Sequence, residues 1–345
     1  MGTNMWVVNN RTPYEADRTW VQDRDGAKYW VVAVKATFDI DLRGQLTLSD
    51  DPEPVHPAPV YNGEDGLSSL RFESDLVAPK PGTDVYVVGA AIPPASKPTA
   101  KLNVALVVGN RRKVLEVHGE RVYQGDMTRV VPGPSLDFTE MPLVYERAYG
   151  GFDDHDPNPA KQYLHMPNPV GVGVVATRHR KVDAPAPNVT FVGDDDGNDH
   201  AAGFGAVCGH WSPRVRHAGT YDAKWVEQRR PLLPLDYDDR WLMCAPEDQQ
   251  FTPHLRGGES IEIVGMHPDG PLSFALPKLA FGFVTRFETR SEPVHHRGTL
   301  STVAVEPNRR RMMMTWTTSL PCGHDEMDYL DETVIRQKRI VGGKG

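Results

Sequence analysis

The stretch Pro142-Leu143-Val144-Tyr145-Glu146-Arg147-Ala148-Tyr149-Gly150-Gly151 sets a carboxylate beside a guanidinium, between two tyrosines, and ends on a double glycine. Read as an extended segment, it sends Leu143, Tyr145, Arg147 and Tyr149 to one side and Val144, Glu146 and Ala148 to the other. Glu146 and Arg147 then cannot pair with each other, and each needs a partner elsewhere. A carboxylate on an aliphatic face has a raised pKa unless a charge or a donor meets it. Arg214, in Trp211-Ser212-Pro213-Arg214, is a candidate partner for Glu146. Arg147 between Tyr145 and Tyr149 suits cation–π stacking. A structural ion-pair network that fixes the surrounding loops is the preferred reading over a ligand site.

Other residues offer chemistry by type but not by spacing. Glu140, Glu146, Asp153, Asp154 and Asp156 are close in sequence, and a glycosidase needs two carboxyl groups about 5–10 Å apart across a cleft. Acidic loops are more often only solvated, so a carbohydrate-active enzyme using Glu146 and a nearby acid is kept as the alternative function. Cys208-Gly209-His210 and Cys322-Gly323-His324 repeat a Cys-x-His pattern that could meet around zinc. Structural zinc sites favour Cys-x-x-Cys or longer pair spacings, so a buried thiol and an exposed imidazole at each place is preferred. Asp194 to His200 looks like a calcium loop, but its glycine falls at the fourth position and Gly205 stands at the twelfth. Gly171-Val172-Gly173 lacks the third glycine and the following helix of a dinucleotide site, and no nucleophile elbow, P-loop or His-Glu-x-x-His motif occurs. No catalytic, metal or cofactor residue is therefore assigned.

The elements that must position these residues are strands. The 31 glycines and 30 prolines in 345 residues exceed the usual combined share of about 12%, which disfavours helices. From Trp30 to Leu42 apolar residues alternate, predicting a long strand with one buried face, a turn at Arg43-Gly44-Gln45, and a return through Leu46 and Leu48. Val85 to Ile92 is apolar on both faces and predicts a central strand. Leu102 to Val108 and Lys113 to Val117 make a hairpin around Gly109-Asn110. From Val130 to His210 proline, glycine and polar clusters dominate, predicting loops that wrap the surface. Thr220 to Arg230 predicts a short helix capped by Thr220 or Asp222 and ended by Pro231. Strands resume at Ile261 to Val264 and continue to Trp316, and the glycine-rich basic tail from Arg336 is expected to be loose.

The expected fold is mostly β: two packed antiparallel β-sandwich-like halves, with long Pro/Gly-rich loops and few short helices. The boundary is placed between an N-terminal β domain, residues 1–137, and a loop-rich central segment with a C-terminal β domain, residues 138–345. A net charge of -8 argues against nucleic acid as the partner. Met1 to Asp17 has no continuous apolar core, and the longest apolar run falls short of the roughly 20 residues of a membrane span. Gly2 is not followed by the Ser or Thr of a myristoylation signal, Trp6 standing there instead. Three scattered cysteines are too few for a disulfide scaffold. A cytoplasmic protein is expected.

Several stretches, taken in order, resemble one bacterial family. They are Lys80-Pro81-Gly82-Thr83-Asp84, Pro142 to Gly151, Asn168-Pro169-Val170-Gly171-Val172-Gly173, and Trp211-Ser212-Pro213-Arg214. Gly219-Thr220-Tyr221-Asp222 with Trp225, Pro231-Leu232-Leu233-Pro234 and Ala245-Pro246-Glu247-Asp248-Gln249-Gln250 follow. The order is similar to the bacterial domain of unknown function number twenty-one sixty-nine, whose members resemble adaptors of type VI secretion that load effectors onto the VgrG spike. The resemblance runs from about Trp6 to Trp316. It implies a cytoplasmic, non-enzymatic adaptor or chaperone with an effector and VgrG as partners; a structural component of the apparatus is the other alternative. It singles out Glu146, Arg147, Tyr149, Gly150, Gly151, Asn168, Pro169, Gly171, Gly173, Trp211 and Arg214 as family-motif residues with structural or partner-binding roles. Tyr, Trp and Arg are types enriched at binding hot spots.

Overall fold

The thirteen-residue strand Lys28–Ile40 lies one in from the edge of the largest sheet. The computed structural model describes residues 6–126, 128–175, 181–194, 201–323 and 326–338. Lys28–Ile40 lies between Glu15–Gln22 and Arg311–Cys322, antiparallel to both. Trp30 to Phe38 is buried on both faces, so the alternation read from the sequence does not mark one buried and one wet face. The polar residues of that alternation are satisfied internally instead. Lys35 Nζ meets Asp75 Oδ2 at 2.8 Å, and Asp75 also accepts from Thr315 Oγ1 at 2.9 Å and from the His56 amide at 2.8 Å. A buried ammonium is tolerable only with such a counter-charge, itself hydrogen-bonded.

The seven-stranded sheet runs Gln250–Phe251, Thr83–Val87, Thr299–Glu306, Arg311–Cys322, Lys28–Ile40, Glu15–Gln22, with Leu46–Leu48 returning on Lys28–Ile40 as expected. Its one parallel pair is Thr83–Val87 with Thr299–Glu306. A five-stranded antiparallel sheet runs Val189–Phe191, Arg111–His118, Lys101–Val108, Ser260–Val264, Leu272–Ala275. A four-stranded sheet runs Val7–Asn10, Leu330–Gln337, Phe281–Phe287, Val294–Arg297. One apolar cluster joins all three, with Trp30, Val85, Val104, Ile261, Phe281 and Met312 among its members. The turn at Gly44 seats the largest sheet on the five-stranded one: its φ is +76°, and a Cβ there would lie 1.8 Å from the Ser273 carbonyl oxygen.

The mostly β architecture matches the sequence. The boundary between residues 137 and 138 does not separate two sheets. Each of the three large sheets takes strands from both sides of it, because the strands that pair best are far apart in the chain. The helix expected after Thr220 is Ala223–Gln228; Asp222 Oδ1 accepts the Trp225 amide at 2.8 Å as its cap, while Thr220 bonds Asp236. Between Val130 and His210 the chain makes two- and three-residue ladders, and Val189–Phe191 supplies an edge to the five-stranded sheet. Most of the calcium-like segment (195–200), His324 and the tail from residue 339 lie outside the described residues. Among the described residues no helix is long and apolar enough to cross a membrane.

Candidate functional site

The block from Pro142 to Gly151 is not one extended strand. Met141–Pro142 pairs with Ala90–Ala91, the chain coils through a 3-10 turn at Tyr145–Arg147, and Tyr149–Gly150 pairs in parallel with Val172–Gly173. The turn is held from outside. Glu146 accepts the Ser69 amide and the Ser69 hydroxyl, each at 2.7 Å. Asn168, fully buried, donates from Nδ2 to the carbonyls of Tyr145 (2.8 Å) and Tyr149 (3.1 Å), while its own carbonyl accepts the Gly151 amide at 2.8 Å. One side chain thus spans both ends of the turn.

The glycines follow from that knot. Gly150 has φ +155°, and a Cβ on it would sit 2.1 Å from the Asn168 carbonyl oxygen. A Cβ on Gly171 would sit 2.4 Å from Asn168 Nδ2 and 2.6 Å from the Ala148 carbonyl oxygen. Gly151 and Gly173 also have positive φ, and Pro169 is half-buried beside Asn168. The two motifs Glu-Arg-Ala-Tyr-Gly-Gly and Asn-Pro-x-Gly-x-Gly are therefore two halves of one interlocked structure.

Glu146 and Arg147 do find separate partners, but not the expected ones. Arg214 pairs with Glu73, not Glu146, and also donates to the carbonyls of Trp241 and Val207 at 2.9 Å each. The 3-10 turn carries Glu146 towards Ser69, while Arg214 sits on the Ser212–Val215 helix behind Glu73. Arg147 bonds Glu120 and, at 3.1 Å, Asn188 Oδ1. The cation near Tyr149 is Lys181, with Nζ 5.8 Å from that ring and 4.1 Å from the Tyr123 ring. Trp211 is fully buried, edge-on to Tyr145 with ring centroids 5.2 Å apart, and Tyr145 donates its hydroxyl to the Gly205 carbonyl at 3.0 Å.

Cys208 and Cys322 are packed within apolar clusters. Burial pushes the Cys208 thiol up to about 12 and the Cys322 thiol up to about 11. Exposed His210 accepts a hydrogen bond from Trp211 Nε1 at 3.1 Å. Cys208 and Cys322 belong to two different apolar clusters.

Sequence reasoning passed over a heavily bonded buried pair, Lys80 with Asp84. Both are buried, with Lys80 Nζ 2.7 Å from Asp84 Oδ2, 3.1 Å from Thr302 Oγ1 and 3.7 Å from Cys244 Sγ. Asp84 Oδ2 accepts the Cys244 amide and Oδ1 the Ala245 amide, each at 3.0 Å. Burial is the largest single influence and opposes the Lys80 charge, but Asp84, Cys244 and Glu73 together outweigh it and hold the ammonium above its ordinary range. Gln249 then donates from Nε2 to the carbonyls of Val85 (2.8 Å) and Phe204 (2.9 Å), and Gln250–Phe251 pairs with Thr83 and Asp84. The segment from Cys244 to Phe251 is clamped to the edge of the largest sheet. The only sequence signal for this was the wording of the Lys80–Asp84 and Ala245–Gln250 stretches.

That clamp builds one wall of a cleft of about 670 Å³. The Ser212–Val215 helix forms another wall, and Tyr145, Lys113 and Arg214 also line it. Lys113 Nζ reaches Asp248 Oδ1 at 3.0 Å and Gln249 Oε1 at 2.9 Å; burial lowers its pKa against the pull of Asp248. A second cleft of about 270 Å³ lies against Pro142 to Tyr145, with Arg71 and Glu306 in its lining. Residues from the Tyr145, Trp-Ser-Pro-Arg and Ala-Pro-Glu-Asp-Gln-Gln stretches thus meet around the larger cleft.

A family model described as "uncharacterized protein conserved in bacteria (DUF2169)" matches residues 25–317. The chain belongs to this family. The Asn168 knot, the Lys80–Asp84 clamp and the cleft between them all fall inside the DUF2169 match. No curated protein and no solved structure matches this DUF2169 chain.

Proposed function

We propose that this DUF2169 protein is a non-enzymatic adaptor that binds a type VI secretion effector and helps load it onto the VgrG spike. One observation supports this reading most. The polar residues of the family motifs are spent on holding backbone: Asn168, Asp84, Gln249 and Arg214 all bond main-chain groups, and together they fix the walls of one cleft. Such an arrangement suits a surface that must present a fixed shape to another protein without being consumed. The adaptor acts in the cytoplasm, stabilises a loading-competent form of the effector, and leaves before firing.

Affinity purification of the tagged protein from its native host tests the reading. Stoichiometric recovery of one effector together with VgrG is expected. Recovery of neither, from cells that secrete actively, overturns it. Secretion of the protein itself into the medium counts for a structural component instead.

A further inference from the structure

Beside the larger cleft stands a short hairpin whose apolar side chains face solvent. Its strands are Phe152–Asp153 and Tyr163–Leu164, and Phe152 lies directly opposite Leu164, so the two share a face. Phe152 is 51% exposed, Leu164 40% and Met166 43%. The hairpin is joined to the cleft, since the Ser212 amide donates to the Met166 carbonyl at 3.0 Å and Pro167 lines the cleft itself. Val215, on the same short helix as Ser212, is 40% exposed. Clustered exposed apolar side chains of this kind mark interaction surfaces.

The lining of the cleft holds more cations than carboxylates, with Lys113, Arg214, Arg216 and Arg240 against Glu247 and Asp248, although the chain carries a net charge of -8. Arg216, His217 and Arg240 meet there, with Arg216 Nε 3.2 Å from His217 Nε2. Burial, then Arg240 and Arg216, hold the His217 imidazole below its ordinary value, ahead of the opposing pull from Asp238 and Glu247. Arg216 has Glu247 at 2.8 Å and Arg240 has Asp238 at 2.6 Å, both solvent-exposed pairs, which water screens and which another carboxylate can replace. Deeper in, the Lys113 ammonium rests on Asp248, which is half-exposed. The cleft volume of 670 Å³ is within the roughly 300–1,000 Å³ of ligand-binding clefts.

We infer that this cleft and its hairpin rim hold a segment of the protein partner in which acidic residues alternate with large apolar ones. Carboxylates of the segment meet Arg216, Arg240 and Lys113, and its apolar side chains pack on Phe152, Leu164 and Met166. The inference rests on the adaptor reading and supplies the partner chemistry for it.

Selection of a random short-peptide phage library on the intact protein, followed by fluorescence anisotropy of the synthesised winners, tests the inference. Winners that combine Asp or Glu with Leu, Phe or Trp are expected. Their affinity should fall at least about tenfold in Arg216→Glu/Arg240→Glu and in Leu164→Ser/Met166→Ser, at an unchanged urea midpoint because these positions are exposed. The inference is overturned if no peptide is selected, if winners lack acids, or if charge reversal leaves their affinity unchanged. It is also overturned if a single-stranded oligonucleotide competes as well as an unlabelled winner, since the cleft would then take any polyanion. Capture from the native host separates the two readings. If wild type and the charge-reversed variant recover effector and VgrG equally, the adaptor reading stands and this surface does not. If wild type recovers neither while the peptide results hold, the adaptor reading falls and the surface stands.

Discussion

Lys80→Met leaves the Asp84 carboxylate fully buried without its cation. Three donors remain to Asp84: the amides of Cys244 and Ala245 at 3.0 Å each, and the Cys244 thiol at 3.4 Å. These solvate the charge in part, while the ammonium at 2.7 Å is lost and Thr302 loses its donor. Breaking one partner of a buried pair costs about 3–5 kcal/mol, because the other charge stays buried and unpaired. The residual donors place the expected loss towards the lower end of that range. Lys80 has a raised pKa in the folded protein, so its contribution is complete below the ordinary lysine value of about 10.4 and is lost only as pH rises through the folded pKa. The deficit of the variant should accordingly be flat across neutral pH. Urea titration followed by tryptophan fluorescence measures the loss, and hydrogen exchange at Cys244 and Ala245 locates it. A loss under about 1 kcal/mol, or exchange at those two amides no faster than in wild type, refutes the claim that the pair clamps this wall of the cleft.

Other perturbations probe the rest of the scaffold. Gly150→Ala adds a Cβ 2.1 Å from the Asn168 carbonyl at φ +155° and should destabilise by about 2–4 kcal/mol, read as a lower urea midpoint. Glu146→Gln keeps an oxygen for one Ser69 donor but loses the charge, so a deficit of about 1–2 kcal/mol is expected from the same titration. Arg214→Lys cannot reach Glu73 and the carbonyls of Trp241 and Val207 together and should cost about 2–3 kcal/mol, with Trp241 fluorescence altered. His296 sits between Thr285 and Thr318, and burial, with His295 adding, lowers its pKa to about 4. The unfolded chain takes up that proton near pH 6.5, so stability is full above that and falls towards pH 4 by roughly 2–3 kcal/mol. A His296→Gln variant should lose this slope, and an unchanged slope would assign it to other groups.

The strands were legible in the sequence because their period of two survives in every register. What was not legible is which strand each one meets. The alternation from Trp30 to Leu42 predicts one buried face, yet Lys35 is buried as well because Arg311–Cys322 and the Asp75 loop close over it. The stretch around Glu146 alternated like a strand, but Ser69 and Asn168, both remote in sequence, bend it into a 3-10 turn. The family wording located Asn168, Gly171 and Trp211 as residues that matter, and their roles needed the geometry. Lys80 and Asp84 lay in plain sight as a four-residue spacing. Their importance arises from the amides of Cys244 and Ala245, which no local pattern announces. Arg216, Arg240 and the Phe152 hairpin carried no motif at all.

The interleaving of the sheets has a temporal side. Lys28–Ile40 leaves the ribosome well before its inner partner Arg311–Cys322, and Lys101–Val108 waits likewise for Ser260–Val264. At ordinary synthesis rates the delay is on the order of tens of seconds. Throughout that interval the longest of the described strands has only the edge strand Glu15–Gln22 and the short return Leu46–Leu48 to pair with. A nascent chain of this topology offers an open, sticky strand throughout that interval, and so needs shelter itself until residue 322 has been made.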